Sequence, residues 1–223
     1  MTNDSGPPRV ETGRFEGTNE ARLDLYWIPL GAGTPVVRAS GRAYEAVMAF
    51  AQRRPRRALF HAALVAPTDV GTFTIEVAPI PDRHGPTVRG VVGEGAVGTR
   101  LAGWLRIFRY EIRCWRDGKI PDLAFAVASP VPLSDSVDEV LRVFETLALA
   151  PRPVWGRDEL RAGEMWNSNS VVAWVLARAG LLARAGPAPA GGRAPGWDAG
   201  VVVARRDGEL APAAPTGGRR ARA

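Results

Sequence analysis

The chain has 223 residues, 46% hydrophobic and 23% charged, a balance that can bury a sizeable core, and no apolar run reaches the ~18 residues of a membrane span. A single cysteine, Cys114, excludes an internal disulfide and a cysteine metal cluster. The two histidines, His61 and His84, lack partners at metal-ligand spacing, so neither a metal nor a cofactor is expected. The net charge is +6, half of it in residues 205–223, where five arginines face two acids; a second basic knot is "RRPRR" at 53–57. Such runs read either as an anionic-surface patch or as a solvated helix end and a basic tail. They specify no partner by themselves, and nucleic acid is not expected. The opening residues have no basic start and no apolar h-region, so a cytoplasmic protein without a secretory signal is expected.

Residues 1–20 are rich in Gly, Pro, Thr, Asn and Glu without apolar period, which predicts a disordered tail. The aromatic and branched stretch 22–31 predicts a strand. The apolar spacing of Tyr44, Val47, Met48 and Ala51, with Ser40 as cap and Pro55 as stop, predicts a helix over 40–54. Two strands follow, 58–66 and 71–80, joined by a hairpin link "PTDVG". Further strands are predicted at 87–95 and 106–118, the second alternating with Phe108, Tyr110, Ile112 and Cys114 on one side. Cys114 is therefore expected to be a buried, inert thiol. A helix over 134–149 has Ser134 or Ser136 as cap and Val140, Leu141, Phe144 and Leu147 on its apolar face. A loop covers 151–166, and a helix over 168–180 ends at Gly180 in the C′ position. "AGVVVARR" predicts a last short strand, and 205–223 a disordered basic tail. Segregated helices and antiparallel strands predict one α+β domain over 21–204 with a mostly antiparallel sheet. "GEGAVG" at 93–98 lacks the Lys-Ser/Thr ending of a phosphate loop.

The run Asn167, Ser168, Asn169, Ser170, directly after Trp166, is more polar than a helix start requires. A helix N-terminus concentrates unpaired N–H groups and partial positive charge, which stabilise an anionic nucleophile and an oxyanion. His61, inside the apolar strand "LFHAALV", is a candidate base, although a lone strand histidine can equally be structural. A hairpin centred near residue 69 brings Glu76 about opposite His61 or Ala62, where it either orients the imidazole or sits as a surface acid. Trp166 is the tryptophan expected at a pocket mouth, whereas Trp174 is spaced as helix core. The pairs around Arg157-Asp158-Glu159 and Arg193…Asp198 sit in loops, as functional residues or as loop pins.

The order of "FHAALV", a second strand and a late "MWNSNSVVAWVLARAGL" resembles the circularly permuted papain-like enzymes. These include permuted relatives of NlpC/P60 peptidases, the lecithin retinol acyltransferase type and the PPPDE peptidases. The chain also resembles a set of bacterial proteins sharing "WGRDEL", "MWNSNS" and "RAPGWDAG". In the permuted enzymes an Asn-Cys-Asn triplet opens the nucleophile helix; here it reads Asn167-Ser168-Asn169, with serine in place of cysteine. The resemblance implies Ser168 as nucleophile, His61 as base and Glu76 as a possible orienter. Backbone N–H groups after Ser168, with Asn169, would be the oxyanion donors. It implies hydrolysis or acyl transfer on an amide, ester or thioester of a small-molecule, peptide or lipid-like substrate. The alternative is a catalytically inactive binding domain, in which Asn167 to Ser170 cap the helix and hydrogen-bond a ligand or neighbouring loop, with Trp166, Asn167, Asn169 and Ser170 as the binding residues.

Overall fold

Two runs of alternating apolar residues fold back on each other at Asp69-Val70 and form the centre of the sheet. Ala58–Thr68 (β2) and Gly71–Pro79 (β3) pair antiparallel, with Thr68 opposite Gly71 and Leu64 opposite Ile75. Gly71 has φ +137, a backbone state open to glycine, and the Thr68 hydroxyl donates to its carbonyl at 2.7 Å. The computed structural model describes residues 18–31, 45–46, 49–50, 53–79, 90–120 and 122–210. Most of the helix expected at 40–54, His84 and the greater part of both expected tails lie outside these residues.

The remaining strands are Leu23–Pro29 (β1), Val91–Ala96 (β4), Arg109–Arg116 (β5), Val127–Ser134 (β6) and the short Gly192–Arg193 (β7). The sheet order is β4-β5-β3-β2-β1-β6, antiparallel throughout, with β7 joining β2 in parallel. The helices are Val137–Ala148 (α1), Ser168–Arg178 (α2), Leu182–Ala185 (α3) and Trp197–Leu210 (α4). This is the α+β architecture with a mostly antiparallel sheet that the sequence pattern predicts.

Alternation divides each strand between two faces. Leu23, Leu25, Ala62, Leu64, Ile75 and Ile112 pack with α1 and α2 in the main core. Cys114 is buried on this same face. The opposite face is more polar: a small cluster of Ile28, Ala63 and Ile120 lies on it. There a buried Glu111 accepts from Arg113 Nε at 2.9 Å. The helix α2 is buried all round from Ser168 to Leu176 rather than along one stripe, as befits a helix enclosed between a sheet and other helices. Gly180 follows it with φ +81, the expected left-handed stop.

The structure departs from several expectations. The strand expected over 106–118 begins only at Arg109, because residues 106–108 form a 3-10 turn. "AGVVVARR" is helical, the middle of α4, and not a strand. Its valines favour strands in isolation, but α4 gains more by packing on α2. Gly200 permits this approach, because a Cβ there would lie 2.1 Å from the Ser170 carbonyl oxygen. The Trp174 indole N–H donates to Asp207 of α4 at 2.8 Å, so the helix runs beyond residue 204 to Leu210. Trp166 is not at a pocket mouth but 2% exposed in the core. The strand β6, unexpected from its "VASPVPLS" sequence, pairs irregularly with β1 as the sheet edge, where two prolines are tolerated.

Candidate active site

The site begins with a gap in the sheet. Phe60 and Ala62 turn their backbone N–H and C=O groups toward β3, yet β2 pairs with β3 only from Leu64 onward. Asn169 occupies the place of the missing strand. Its Oδ1 accepts from the Ala62 N–H at 2.8 Å and its Nδ2 donates to the Phe60 carbonyl at 3.0 Å. Nδ2 also donates to the Pro195 carbonyl at 2.9 Å. One buried carboxamide thus continues the ladder and fixes the α2 N-terminus to the two residues that flank His61.

This register brings Ser168 to the histidine. Ser168 Oγ lies 2.8 Å from His61 Nδ1, across 107 positions of sequence. With Nδ1 accepting from the hydroxyl, the ring proton resides on Nε2. Burial is the largest influence on the imidazole and pushes it from the ordinary 6.5 down to about 4, while the negative charge of Asp122 acts in the opposite direction. His61 is therefore neutral at pH 7 and holds the lone pair a general base requires.

The cap around Ser168 is complete. Asn167 is the N-cap; its Oδ1 accepts from Asn169 N at 2.9 Å and from Ser170 N at 3.3 Å. Ser170 Oγ accepts from Asn167 N at 3.0 Å, closing a capping box. Asn167 Nδ2 donates to Pro195 O at 2.9 Å. The loop at 194–196 is thereby held over the helix start, and Gly196 leaves no room for a side chain against Asn167 and Ser170. Glu164 secures the same loop by accepting from Gly196 N at 2.7 Å and Arg193 Nη2 at 2.5 Å.

These bonds redistribute the expected roles. The N–H groups of Asn169 and Ser170, together with the Asn169 carboxamide, are engaged inside the protein and are not free oxyanion donors. The Ser168 N–H is the first-turn donor that no acceptor takes among the described residues. Glu76 faces Arg113 across β3 and β5. Since Ile75 is opposite Leu64, Glu76 falls level with Ala63 rather than with the expected His61 or Ala62. Burial raises its carboxyl above the usual range, with Arg113 lowering it and Asp122 raising it. The charge of Asp122, at the start of the 3-10 turn Leu123–Phe125, raises the His61 imidazole against the larger effect of its burial. Nothing in "KIPDLAF" marks this acid in sequence, since its role depends on the tertiary approach of the turn to β2.

The loop acids and arginines are pins. Asp158 accepts from Ala162 N and Gly163 N, Glu159 accepts from Arg100 and Val154 N, and Arg157 donates to the Gly98 carbonyl. Arg193 pairs with Glu164 rather than Asp198. A cleft of about 460 Å³ opens beyond the 194–198 loop, lined by Arg54, Arg57, Arg193, Trp27 and Trp197, and includes neither member of the Ser168–His61 pair. No known protein family, no curated protein and no solved structure matches this chain.

Proposed function

We propose that the chain is a hydrolase or acyltransferase acting on an amide, ester or thioester through Ser168 and His61, on a circularly permuted papain-like frame. The observation that carries this reading is the 2.8 Å contact between Ser168 Oγ and a neutral His61 at the N-terminus of α2. In the reaction, Ser168 Oγ attacks the carbonyl carbon as its proton passes to His61 Nδ1. The carbonyl oxygen, now an oxyanion, takes the Ser168 N–H and the positive end of the helix dipole. The imidazolium then returns the proton to the leaving nitrogen, oxygen or sulfur, giving an acyl-serine. Water, or an alcohol or amine acceptor, releases the acyl group by the reverse sequence. Asp122 supports the imidazolium that forms.

A hydroxyl is a weaker nucleophile than the thiol this frame resembles, so the arrangement depends on the base. One observation favours an inactive binding domain as the second reading: Asn167, Asn169 and Ser170 satisfy one another and their neighbours, as a cap alone would. A fluorophosphonate probe separates the two. The full chain should label at Ser168, located by peptide mass, and Ser168→Ala and His61→Ala should each abolish labelling. Equal labelling of wild type and Ser168→Ala would overturn the enzymatic reading. A complementary test replaces the nucleophile: Ser168→Cys should alkylate faster than Cys114 at neutral pH, and that advantage should vanish in the double variant with His61→Ala.

A further inference from the structure

Between β4 and β5 the chain leaves the sheet as two short 3-10 turns, Ala102–Trp104 and Arg106–Phe108. Their apolar side chains point away from the protein: Leu101 is 83% exposed, Trp104 84%, Ile107 73% and Leu105 60%. Exposure this high at neighbouring positions describes a protruding wedge rather than a flat contact face. The segment is nonetheless well tied. Leu105 N and Phe108 N donate within their turns at 2.9 Å, Val97 N donates to Phe108 O at 2.7 Å, and Arg109 Nε donates to Gly103 O at 2.5 Å. Gly103 is buried against Ala96, which seats the base of the wedge on β4. The outward apolar side chains therefore belong to an ordered segment, and apolar clustering on this scale marks an interaction site.

The unpaired charge at the tip is positive. Residues 95–110 contain three arginines, Arg100, Arg106 and Arg109, and no acid. Arg157 donates to Gly98 O at the base of the wedge, where the neighbouring Asp158 offsets its charge. Glu159 and Glu94 neutralise Arg100 and Arg109, whereas Arg106, exposed at the tip between Leu105 and Ile107, has no ion-pair partner among the described residues. Trp, Leu and Ile at a tip with arginine beside them match the interfacial zone of a bilayer, with rings and aliphatic chains at the acyl boundary and guanidinium groups among phosphates.

We propose that residues 101–108 form a wedge that seats the protein on an anionic lipid bilayer. The wedge lies on the surface layer and does not span it; among the described residues no helix is long and apolar enough to cross a membrane. The test is flotation of the full chain with vesicles of phosphatidylcholine alone and of phosphatidylcholine mixed equally with phosphatidylglycerol. Wild type should float with the mixed vesicles and far less with the neutral ones. The double variant Trp104→Glu/Ile107→Glu should bind the mixed vesicles at least about tenfold more weakly, and Arg106→Glu should bind them less well than wild type. Trp104→Phe, which keeps the apolar ring, should still float but lose most of the fluorescence quenching given by brominated lipid. The proposal fails if wild type does not float. It also fails if the double variant floats unchanged, which would assign binding to the arginine-rich ends. A concentration-dependent dimer abolished by Trp104→Glu/Ile107→Glu, without lipid binding, would assign the wedge to a second copy of the chain.

Discussion

The start of α2 and the wedge at 101–108 depart from ordinary burial in opposite directions. At α2 a run of polar side chains is buried, with Ser168, Asn169 and Ser170 all under a tenth exposed. At the wedge a run of large apolar side chains is exposed. The buried polar run is compensated within the protein, because almost every donor and acceptor finds a partner in the cap, β2 or the loop at 194–196. The wedge side chains find little to pack on among the described residues. A compensated departure contributes to the fold, while an uncompensated one can be removed without loss of stability. Substitutions should therefore divide sharply between the two regions.

The largest effect should come from Asn169→Ala. It leaves the Ala62 N–H and the Phe60 carbonyl unpaired in the interior, and each buried unpaired group costs about 1–3 kcal/mol. A loss of about 3 kcal/mol in urea denaturation is expected. A loss below about 1 kcal/mol would mean that the gap in the sheet is closed by something else.

The acid response of His61 comes next. The unfolded chain takes up its proton near 6.5, the folded one only near 4. Between these values the unfolded state binds more protons, so stability should be full above pH 6.5, fall on acidification toward pH 4 and level off below. The size of this contribution is on the order of 1–3 kcal/mol. Comparing wild type with His61→Asn in denaturant series across this range isolates it, and parallel curves would refute the neutral, half-buried imidazole. Catalysis should follow the same group: labelling by the fluorophosphonate probe should rise as pH increases through about 4, as His61 becomes the free base.

Asn167→Ala should cost less, about 1 kcal/mol, the usual loss of an N-cap side chain. It should lower thermal stability modestly and leave the Ser168–His61 contact in place through Asn169. The smallest change belongs to the wedge. Trp104→Ser should shift unfolding by no more than about 0.5 kcal/mol, as surface substitutions do. A loss of several kcal/mol there would show that the wedge is packed after all and would erase the contrast.

Local pattern made much of this protein legible. The hairpin of β2 and β3 follows from alternation and turn residues, α1 from its apolar spacing, and the α2 boundaries from Asn167 and Gly180. The meeting of His61 with Ser168 was readable as a pairing of residue types, and the structure gives it a distance of 2.8 Å. Elsewhere local pattern misled or stayed silent. Val201–Val203 favours a strand, but the approach permitted by Gly200 makes α4 a helix. Trp166 could have been rim or core, and only the packing of the sheet against α2 buries it. Glu76 shares the sheet face of His61 but falls level with Ala63 rather than His61, since the exact register of a hairpin is invisible in sequence. Asp122 influences His61 from a turn 61 positions away, and Asn169 serves as a strand surrogate only because β3 diverges from β2. Sequence periodicity encodes which face of an element is apolar. It does not encode where two elements separate, and the separation of β2 from β3 is what admits the α2 N-terminus to His61.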